Sequence, residues 1–454
     1  MYKLLPLLLM FVNFSPVIPG SYIRPQHLVV YPLFLYVVFM TFKNLVLRIK
    51  ELRTIVLIFS LIIFWGGVST FWMKSVYPYN ITGILSAIDS LALPIAVICV
   101  VSFGINNCQL TFTKELFIKS INTYIFILIT VSILILIQIF TGISWWFDYF
   151  IDSTREINVA ESAMSMGRYS GIYAQPFEAG LAASLGTFLI FYRIKYYQKI
   201  HLFDIIGYVF IPFIGILSVS KAFFLICPPL ILIYLIHNNP RWLQHILSFL
   251  FLTLFGLLFF LTVVNPLWNG SIFIQRYFTS EVVDESANDS IQRYTSGRYA
   301  SDSSVKAKAL VLISKYPIFG FGMSWRQGVG NDVIDGAFDN AYLQMLIYGG
   351  IPNLVLYLLL LWAMFYIAYI HRKYSPLESS FLLIITFYIF LAGNGAPCFP
   401  QHKFTLAFFT IITLLVHIMA KQREIHNNSW SHHRNVYVPE SWNSGMPRTD
   451  LGKR

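Results

Sequence analysis

Residues 336–362 read GAFDNAYLQMLIYGGIPNLVLYLLLLW, a polar turn followed by an apolar run that is long enough to cross a bilayer. A membrane-spanning helix needs about 20 mainly apolar residues. Similar runs recur along the whole chain. They lie at about 4–20, 27–42, 54–72, 81–103, 120–141, 177–192, 202–219, 222–236, 246–266, 340–370, 378–392 and 404–420. The sequence therefore predicts an all-α integral membrane protein with about 12 transmembrane helices.

The composition favours the same class of protein. Of the 454 residues, 57% are hydrophobic and only 12% are charged, whereas a soluble domain carries roughly 25% charged residues. The net charge of +11 would suggest nucleic-acid binding in a soluble protein. Here the basic residues gather at the ends of apolar runs, so we predict contact with membrane lipids and no nucleic-acid partner. The four cysteines show neither the spacing of a metal site nor an evident disulfide pair.

The basic residues of the linkers indicate how the helices are oriented. They are Lys43, Arg48, Lys50 and Arg53; Lys114 and Lys119; Arg193, Lys195 and Lys199; Arg241; Arg372 and Lys373; and Lys421 and Arg423. All of them fall on one side if every run spans, and the positive-inside rule makes that side the cytoplasm. We therefore expect a multi-pass protein of the bacterial inner membrane with both termini in the cytoplasm. The first run could instead be a signal peptide, but it shows no small-residue cleavage site, so we keep it as a helix.

This topology divides the chain into four parts. Residues 1–266 carry helices one to nine with a medium outer loop at 143–176, residues 267–338 form a large periplasmic loop, residues 339–420 carry helices ten to twelve, and residues 421–454 form a cytoplasmic tail. Loops of such length are usually functional or disordered. The large loop contains an apolar-periodic stretch after Asp302, so we expect it to be folded. We predict an amphipathic helix on the outer membrane surface, ended by the segment KYPIFGFG at 315–322.

Charge is distributed unevenly within the large loop. Between two acidic clusters, the only acidic residue is Asp302. The same stretch contains six basic residues, namely Arg293, Arg298, Lys306, Lys308, Lys315 and Arg326. Such a patch above the bilayer could bind an anion, because guanidinium groups bind phosphate bidentately. The alternative is ordinary pairing with anionic lipid or with the neighbouring acids.

Two ionisable residues near the membrane are candidates for function. Lys221 interrupts the apolar sequence ILSVSKAFFLICPPLILIYLI at 216–236, at a tight outer hairpin between predicted helices seven and eight. Its alternative role is a lysine that snorkels to the interface. Asp339 opens predicted helix ten, where it could act in chemistry or simply cap the helix. Asn340 and Gln344 share a face of that helix, and Gly349 with its neighbour Gly350 predicts a break within it.

Three segments resemble the O-antigen polymerase and O-antigen ligase superfamily. RYSGIYAQPFEAGLAASL at 168–185 is similar to the family's segment of an arginine followed by glycine and aromatic residues. LSVSKAFFL at 217–225 is similar to its outer hairpin, with Lys221 where the family has arginine. SGRYASDSSVKAKALVLISKYPIFGFG at 296–322 and DNAYLQMLIYGGIPN at 339–353 resemble its large loop and exit helix. Each motif is loose by itself, but their order, separation and shared side of the membrane make the combination more specific.

The resemblance implies a GT-C-like fold and a metal-independent, inverting glycosyltransferase without a cofactor. Both substrates would be undecaprenyl-diphosphate-linked oligosaccharides, and a chain-length regulator is an expected partner. Lys221 and Arg298 would hold the donor diphosphate and stabilise its developing charge. Asp339 and Glu178 would be the candidate proton acceptors, each with a cap or a hydrogen-bond partner as its alternative role. The other substrate-binding candidates are Arg168, Arg293, Arg326, Asn340, Tyr342 and Gln344.

The departures from the family pattern bear on the choice of activity. The ligases have a histidine at the position of Phe338, so its absence favours a polymerase over a ligase. Lys221 keeps the positive charge but loses the planar fork of arginine. A transporter or flippase is the third hypothesis, for which Asp89 and Asp204 are the main acids within predicted spans; the sequence shows no internal repeat of the kind found in many transporters.

Overall fold

The fold comes from a computed structural model. It describes residues 2–17, 24–41, 47–75, 80–151, 154–236, 313–324, 340–395, 398–399 and 402–436, together with residues 247, 250, 253–254 and 311. Within these residues all regular structure is helical. The helices are α1 (Leu5–Val12), α2 (Pro25–Met40), α3 (Lys50–Trp72), α4 (Ile81–Ile105), α5 (Leu110–Thr141), α6 (Phe147–Phe150), α7 (Thr154–Ser165), α8 (Pro176–Tyr197), α9 (Leu202–Leu217), α10 (Cys227–Ile236), α11 (Ala341–His371), α12 (Pro376–Ala392) and α13 (His402–Val436).

The prediction of an all-α, multi-pass membrane protein is confirmed. Within the described part of the chain, six helices are long and apolar enough to span a membrane, namely α3, α4, α5, α8, α11 and α13. Four shorter apolar helical segments accompany them, at Pro25–Met40, Leu202–Leu217, Ala222–Ile236 and Pro376–Ala392. The ninth predicted span and most of the large loop lie outside the described residues, so the number twelve stays a prediction.

Two helix boundaries differ from those expected. The first predicted span is only an eight-residue helix, α1, although Leu9 and Met10 are fully buried in the bundle. At the other extreme, α13 continues past Lys421, where the tail was predicted to begin, because the polar residues beyond that point do not break the helix. The membrane-spanning part of α13 is buried along almost its whole length, so α13, like α8, lies in the middle of the bundle.

Contacts between α4 and α13 define two ends of the bundle. At one end, called here the His402 end, His402 faces Asp89 near the start of α4. At the other, called the Lys421 end, the Lys421 ammonium donates to the carbonyl oxygens of Ile105 and Cys108 after α4.

Helix α11 contains the break that the paired glycines predicted. Gly349 and Gly350 have non-helical backbone angles, and they lie about 13–15 Å along the helix axis from Asn340. Gly350 has φ +64, and a Cβ there would overlap the carbonyl oxygen of Pro317. Only glycine accommodates both the left-handed backbone and this close approach.

Residues 313–324 pack into this break, and their helical part ends at Lys315 as predicted. The backbone N–H of Ile351 donates to Pro317 O at 2.7 Å, and that of Phe321 donates to Ile347 O at 2.8 Å. The Trp65 indole on α3 donates to Gly349 O at 2.8 Å. These bonds satisfy backbone groups that a break would otherwise leave unpaired in lipid. The segment KYPIFGFG thus does more than end a helix: it enters the bundle between α3 and α11.

A buried ion pair at the Lys421 end provides a test of how this fold is stabilised. Arg193 Nε lies 2.7 Å from Asp204 Oδ1, and Asp204 is fully buried. The other carboxylate oxygen accepts from the His201 backbone N–H at 3.0 Å. We expect Asp204→Ala to lower the free energy of unfolding by about 3–5 kcal/mol, because it leaves the Arg193 charge buried without its partner. Thermal unfolding of the purified variant in detergent measures the loss.

The matched control is the exposed pair of Glu115 and Lys119 on α5, where the charged atoms are 2.6 Å apart but both side chains are more than half exposed. Glu115→Ala removes an ion pair worth about 0.3–0.5 kcal/mol. Equal losses in the two variants would contradict the role assigned to the Asp204 pair.

Candidate functional site

The hairpin that carries Lys221 has an unusual backbone. Val219 has φ +52 although it is a buried, β-branched residue. Branched side chains rarely adopt this left-handed region, and such strain is retained mainly at functional sites. Lys221 then leads into a π-helix at Ala222–Ile226, a second feature that is frequent at functional sites. The hairpin thus combines a half-buried lysine with two costly backbone features.

The medium loop brings Arg168 to this hairpin. The Arg168 guanidinium donates from Nε to Ser218 O at 3.3 Å, and the Tyr169 backbone N–H donates to Leu217 O at 2.9 Å. Both Arg168 and Lys221 are half-buried. Arg168 of the medium loop therefore binds the backbone of the hairpin that carries Lys221, about 50 positions further along the chain.

Helix α8 packs directly on the same hairpin. A Cβ at Gly180 would overlap the Ser220 side chain, so glycine is required for this approach. Two residues earlier, Glu178 is buried at 5% exposure, and its carboxylate accepts from the backbone N–H groups of Lys403 and Phe404 in the first turn of α13. A carboxylate at a helix N-terminus is favourable. The sequence analysis left two roles open for Glu178, a proton acceptor or a hydrogen-bond partner. The contacts of its carboxylate are those of a hydrogen-bond partner.

The predicted substrate-binding residues of α11 join two helices. Asn340 caps α11 by accepting from the backbone N–H groups of Tyr342 and Leu343. Its amide donates to Asn394 Oδ1 at 2.9 Å. The Tyr342 hydroxyl donates to the Phe390 carbonyl, and Gln344 Nε2 donates to the Tyr348 hydroxyl at 2.9 Å. The contacts of Asn340 and Tyr342 hold the start of α11 against the end of α12, whereas the bond of Gln344 lies within α11.

A further polar cluster was not predicted as a site. It is called here the Asp89 cluster and consists of Arg24, His27, Tyr31, Asp89 and His402. The Tyr31 hydroxyl donates to Asp89 Oδ1 at 2.5 Å, and His27 Nε2 lies 3.2 Å from the same oxygen. Asp89 Oδ2 lies 3.4 Å from His402 Nδ1 and 3.8 Å from Arg24 NH1. An ionisable cluster within membrane-spanning helices is expensive and is usually functional.

The Asp89 cluster continues into the neighbouring loop. Arg24 lies 4.0 Å from Glu156 on α7, and the Lys403 ammonium donates to Phe150 O at 2.8 Å and to Ile172 O. Burial raises the pKa of the Tyr173 phenol beside Lys403, so this side chain stays neutral. Among the described residues no three potential ligands converge closely enough to hold a metal ion.

Sequence reasoning missed this cluster for a physical reason. Asp89 was noted as an acid within a span, but its partners come from the starts of α2 and α13, at opposite ends of the chain. No local spacing connects them. The usable signal was that His27, Asp89 and His402 lie near the ends of three different predicted spans, and that the predicted topology puts these three ends on the same side of the membrane.

Four sequence-predicted site residues lie outside the described residues, namely Arg293, Arg298, Arg326 and Asp339. Arg168 binds the hairpin that carries Lys221. Glu178 contacts the start of α13, Asn340 and Tyr342 bond to the end of α12, and Gln344 bonds within α11. Comparison with known proteins gives no match: no protein-family model matches the chain, and no curated protein is significantly similar to it.

Proposed function

We propose that the chain is a polymerase of lipid-linked surface polysaccharide, of the O-antigen polymerase kind. It transfers the growing undecaprenyl-diphosphate-linked glycan from its carrier onto a new lipid-linked repeat unit, with inversion at the anomeric carbon. In this proposal the His402 end faces the periplasm, the Lys421 end faces the cytoplasm, and twelve GT-C-like helices cross the bacterial inner membrane. A chain-length regulator is the expected protein partner.

One observation carries the proposal: Arg168 binds the backbone of the strained hairpin that carries Lys221, at the His402 end. A diphosphate leaving group gains negative charge as the glycosidic bond breaks. Fixed cations in a site with little water stabilise that charge strongly. The strained backbone supports this assignment, because holding Lys221 in place costs folding energy that an ordinary interfacial lysine does not require.

The two other activities predict different products. A ligase would use the same cations but transfer the finished chain to a different lipid, and Phe338 stands where ligases have their histidine. A transporter would use charged residues along its path. The sequence analysis named Asp89 and Asp204 as the acids that a transporter could use. Asp204 is fully buried in its pair with Arg193, so of these two only Asp89 could line a transport path.

The decisive experiment supplies the purified protein, in proteoliposomes, with a synthetic undecaprenyl-diphosphate-linked repeat unit as donor and acceptor. A polymerase produces a ladder of lipid-linked oligomers and free undecaprenyl diphosphate. Transfer only to a second lipid core would identify a ligase. Movement of the labelled lipid across the membrane without bond formation would identify a flippase and refute the proposal.

Arg298→Ala tests the contribution of the large loop. We expect cells with this variant to accumulate single repeat units on the lipid anchor while the protein level stays normal, because one of the phosphate-binding charges is lost. Gel profiles of the cell-surface and lipid-linked glycans measure chain length. The control is Arg372→Ala, which removes an exposed arginine at the Lys421 end. Chains of normal length in the Arg298 variant would remove that residue from the site.

A further inference from the structure

The Lys403 side chain closes the medium loop at its base. Its ammonium donates to Phe150 O at 2.8 Å, at the end of α6, and to Ile172 O, shortly before α8 begins. It also lies 5.5 Å from the centre of the Phe150 ring and 5.8 Å from that of the Tyr173 ring. One cation from the start of α13 therefore joins the two ends of the loop segment between Phe150 and Ile172.

The position of Lys403 is unfavourable for a cation in its own helix. Lys403 is the second residue of α13, and a positive charge in the first turn opposes the helix dipole. Its side chain is also half-buried. The charge-assisted bonds to the two loop carbonyls and the faces of the two aromatic rings offset this cost. The ammonium is thus held in place by the medium loop and not by α13.

The Ile172 carbonyl belongs to the same short turn as Arg168. Arg168 donates from Nε to the hairpin backbone, and so does the backbone N–H of Tyr169. Gly171 has φ +62, and a Cβ there would overlap side chains of α5. Within residues 168–172 the chain is therefore fixed to the hairpin, to α5 and, through Ile172 and Lys403, to α13.

The bond from Arg168 to the hairpin depends on these other attachments. At 3.3 Å it is long for a hydrogen bond, so by itself it holds the guanidinium weakly. The backbone of the turn has to keep Arg168 in place, and Lys403 is the part of α13 that binds this turn. Removing the ammonium would take a donor from two carbonyl oxygens and loosen both ends of the loop segment.

We propose that Lys403 is a positioning residue for Arg168 in the glycosyl transfer. By closing the medium loop, it fixes the turn that presents the Arg168 guanidinium at the hairpin of Lys221. This inference rests on the proposed function, in which these cations stabilise the departing diphosphate. Charges stabilise a transition state strongly only while they are held in the productive geometry. Lys403 therefore acts through Arg168 and does not itself touch the substrate.

Lys421 provides a matched control on the same helix. Its ammonium donates to the backbone carbonyls of Ile105 and Cys108, and its side chain is half-buried like that of Lys403. Both lysines thus hold a loop to α13 through two carbonyl oxygens, but at opposite ends of the bundle. Either substitution removes contacts that stabilise the fold, whereas only the loss of Lys403 changes the position of Arg168.

The test measures transfer by purified variants in proteoliposomes, corrected for the folded fraction. We expect Lys403→Met to lower kcat about 10- to 100-fold with little change in KM, because a misplaced transition-state charge slows the chemical step. Methionine keeps the backbone N–H that Glu178 accepts. Lys403→Arg keeps the charge and the donors and should recover most of the rate. Lys421→Met should leave the kcat of the folded protein unchanged.

A double-mutant cycle shows whether Lys403 acts through Arg168. Arg168→Lys keeps a charge but loses the Nε bond to the hairpin, so a reduced activity remains to be measured. Adding Lys403→Met to this variant should lower kcat less than about twofold further, because the shared interaction is already lost. Losses that multiply in full would show that the two residues act independently, and the inference would be wrong.

Hydrogen exchange at the Tyr169 amide reports the position of the turn without any substrate. This amide donates to Leu217 O at 2.9 Å, and we expect Lys403→Met, but not Lys421→Met, to accelerate its exchange. An unchanged kcat or an unchanged exchange rate in the folded Lys403→Met protein would overturn the inference.

Two further outcomes are separated by the same measurements. If Lys403→Met does not fold, Lys403→Gln, which keeps a hydrogen-bond donor but no charge, replaces it in the kinetics, the cycle and the exchange experiment, with the same criteria. If the wild-type protein forms no glycosidic bond, the proposed function fails. The exchange of the Tyr169 amide then still shows whether Lys403 fixes the turn of Arg168.

Discussion

Lys221→Met should abolish chain growth in proteoliposomes while leaving the fold intact. The substitution keeps an unbranched side chain of similar length but removes the charge that is half-buried at the strained hairpin. Losing one preorganised electrostatic donor costs about 10²–10³ in kcat. The rate of conversion of labelled lipid-linked repeat units measures the effect, and thermal unfolding checks that the variant is folded.

Two further variants make this result specific. Lys221→Arg restores the charge with a planar fork that binds phosphate well, so we expect it to recover much of the activity. Lys199→Met removes an exposed lysine at the Lys421 end and should change nothing. If Lys221→Met is as active as the wild type, Lys221 is a snorkelling lysine, and the cationic hairpin has no part in transfer.

Gly350→Ala should destabilise the protein by at least about 3 kcal/mol. The left-handed backbone at φ +64 costs a non-glycine residue about 1–2 kcal/mol. The added methyl group would also push against the carbonyl oxygens of Pro317 and Ile318, which lie in the break of α11. Because those atoms are backbone, the inserted segment must move as a unit, and the bond from the Ile351 N–H to Pro317 is lost.

The control for this substitution is Gly67→Ala on α3. A Cβ at Gly67 meets no atom within 4 Å, and its backbone is helical. Alanine is better than glycine in a helix by about 0.5–1 kcal/mol. Gly67→Ala should therefore raise the melting temperature where Gly350→Ala lowers it. A melting temperature unchanged by Gly350→Ala would show that α11 does not depend on the inserted segment.

The sequence predicted local features well because the bilayer imposes them on each helix separately. The long apolar runs of six helices and the break at Gly349 and Gly350 are confirmed. In each case the signal lies within one helix or one loop, where apolar periodicity and charge are sufficient.

Contacts between distant helices could not be predicted in this way. Nothing in the residues around His402 indicates that its ring faces Asp89, because that contact depends on how α4 and α13 pack. Glu178 was proposed as a proton acceptor from its position alone, and only the packing of α8 on α13 shows that its oxygens accept from backbone amides. The insertion of the segment KYPIFGFG between α3 and α11 was likewise not predictable, because it depends on how these distant parts of the chain pack.

The central position of α13 has a consequence for biosynthesis. Within the described chain this helix is the last to leave the ribosome, although it fills the middle of the bundle. At about 5–20 residues per second, Asp89 is synthesised on the order of half a minute before His402. Arg24, His27 and Tyr31, which contact the Asp89 carboxylate in the finished bundle, have already been synthesised by then. We therefore expect α2 to stabilise the Asp89 carboxylate in the inserted intermediate until α13 joins the bundle.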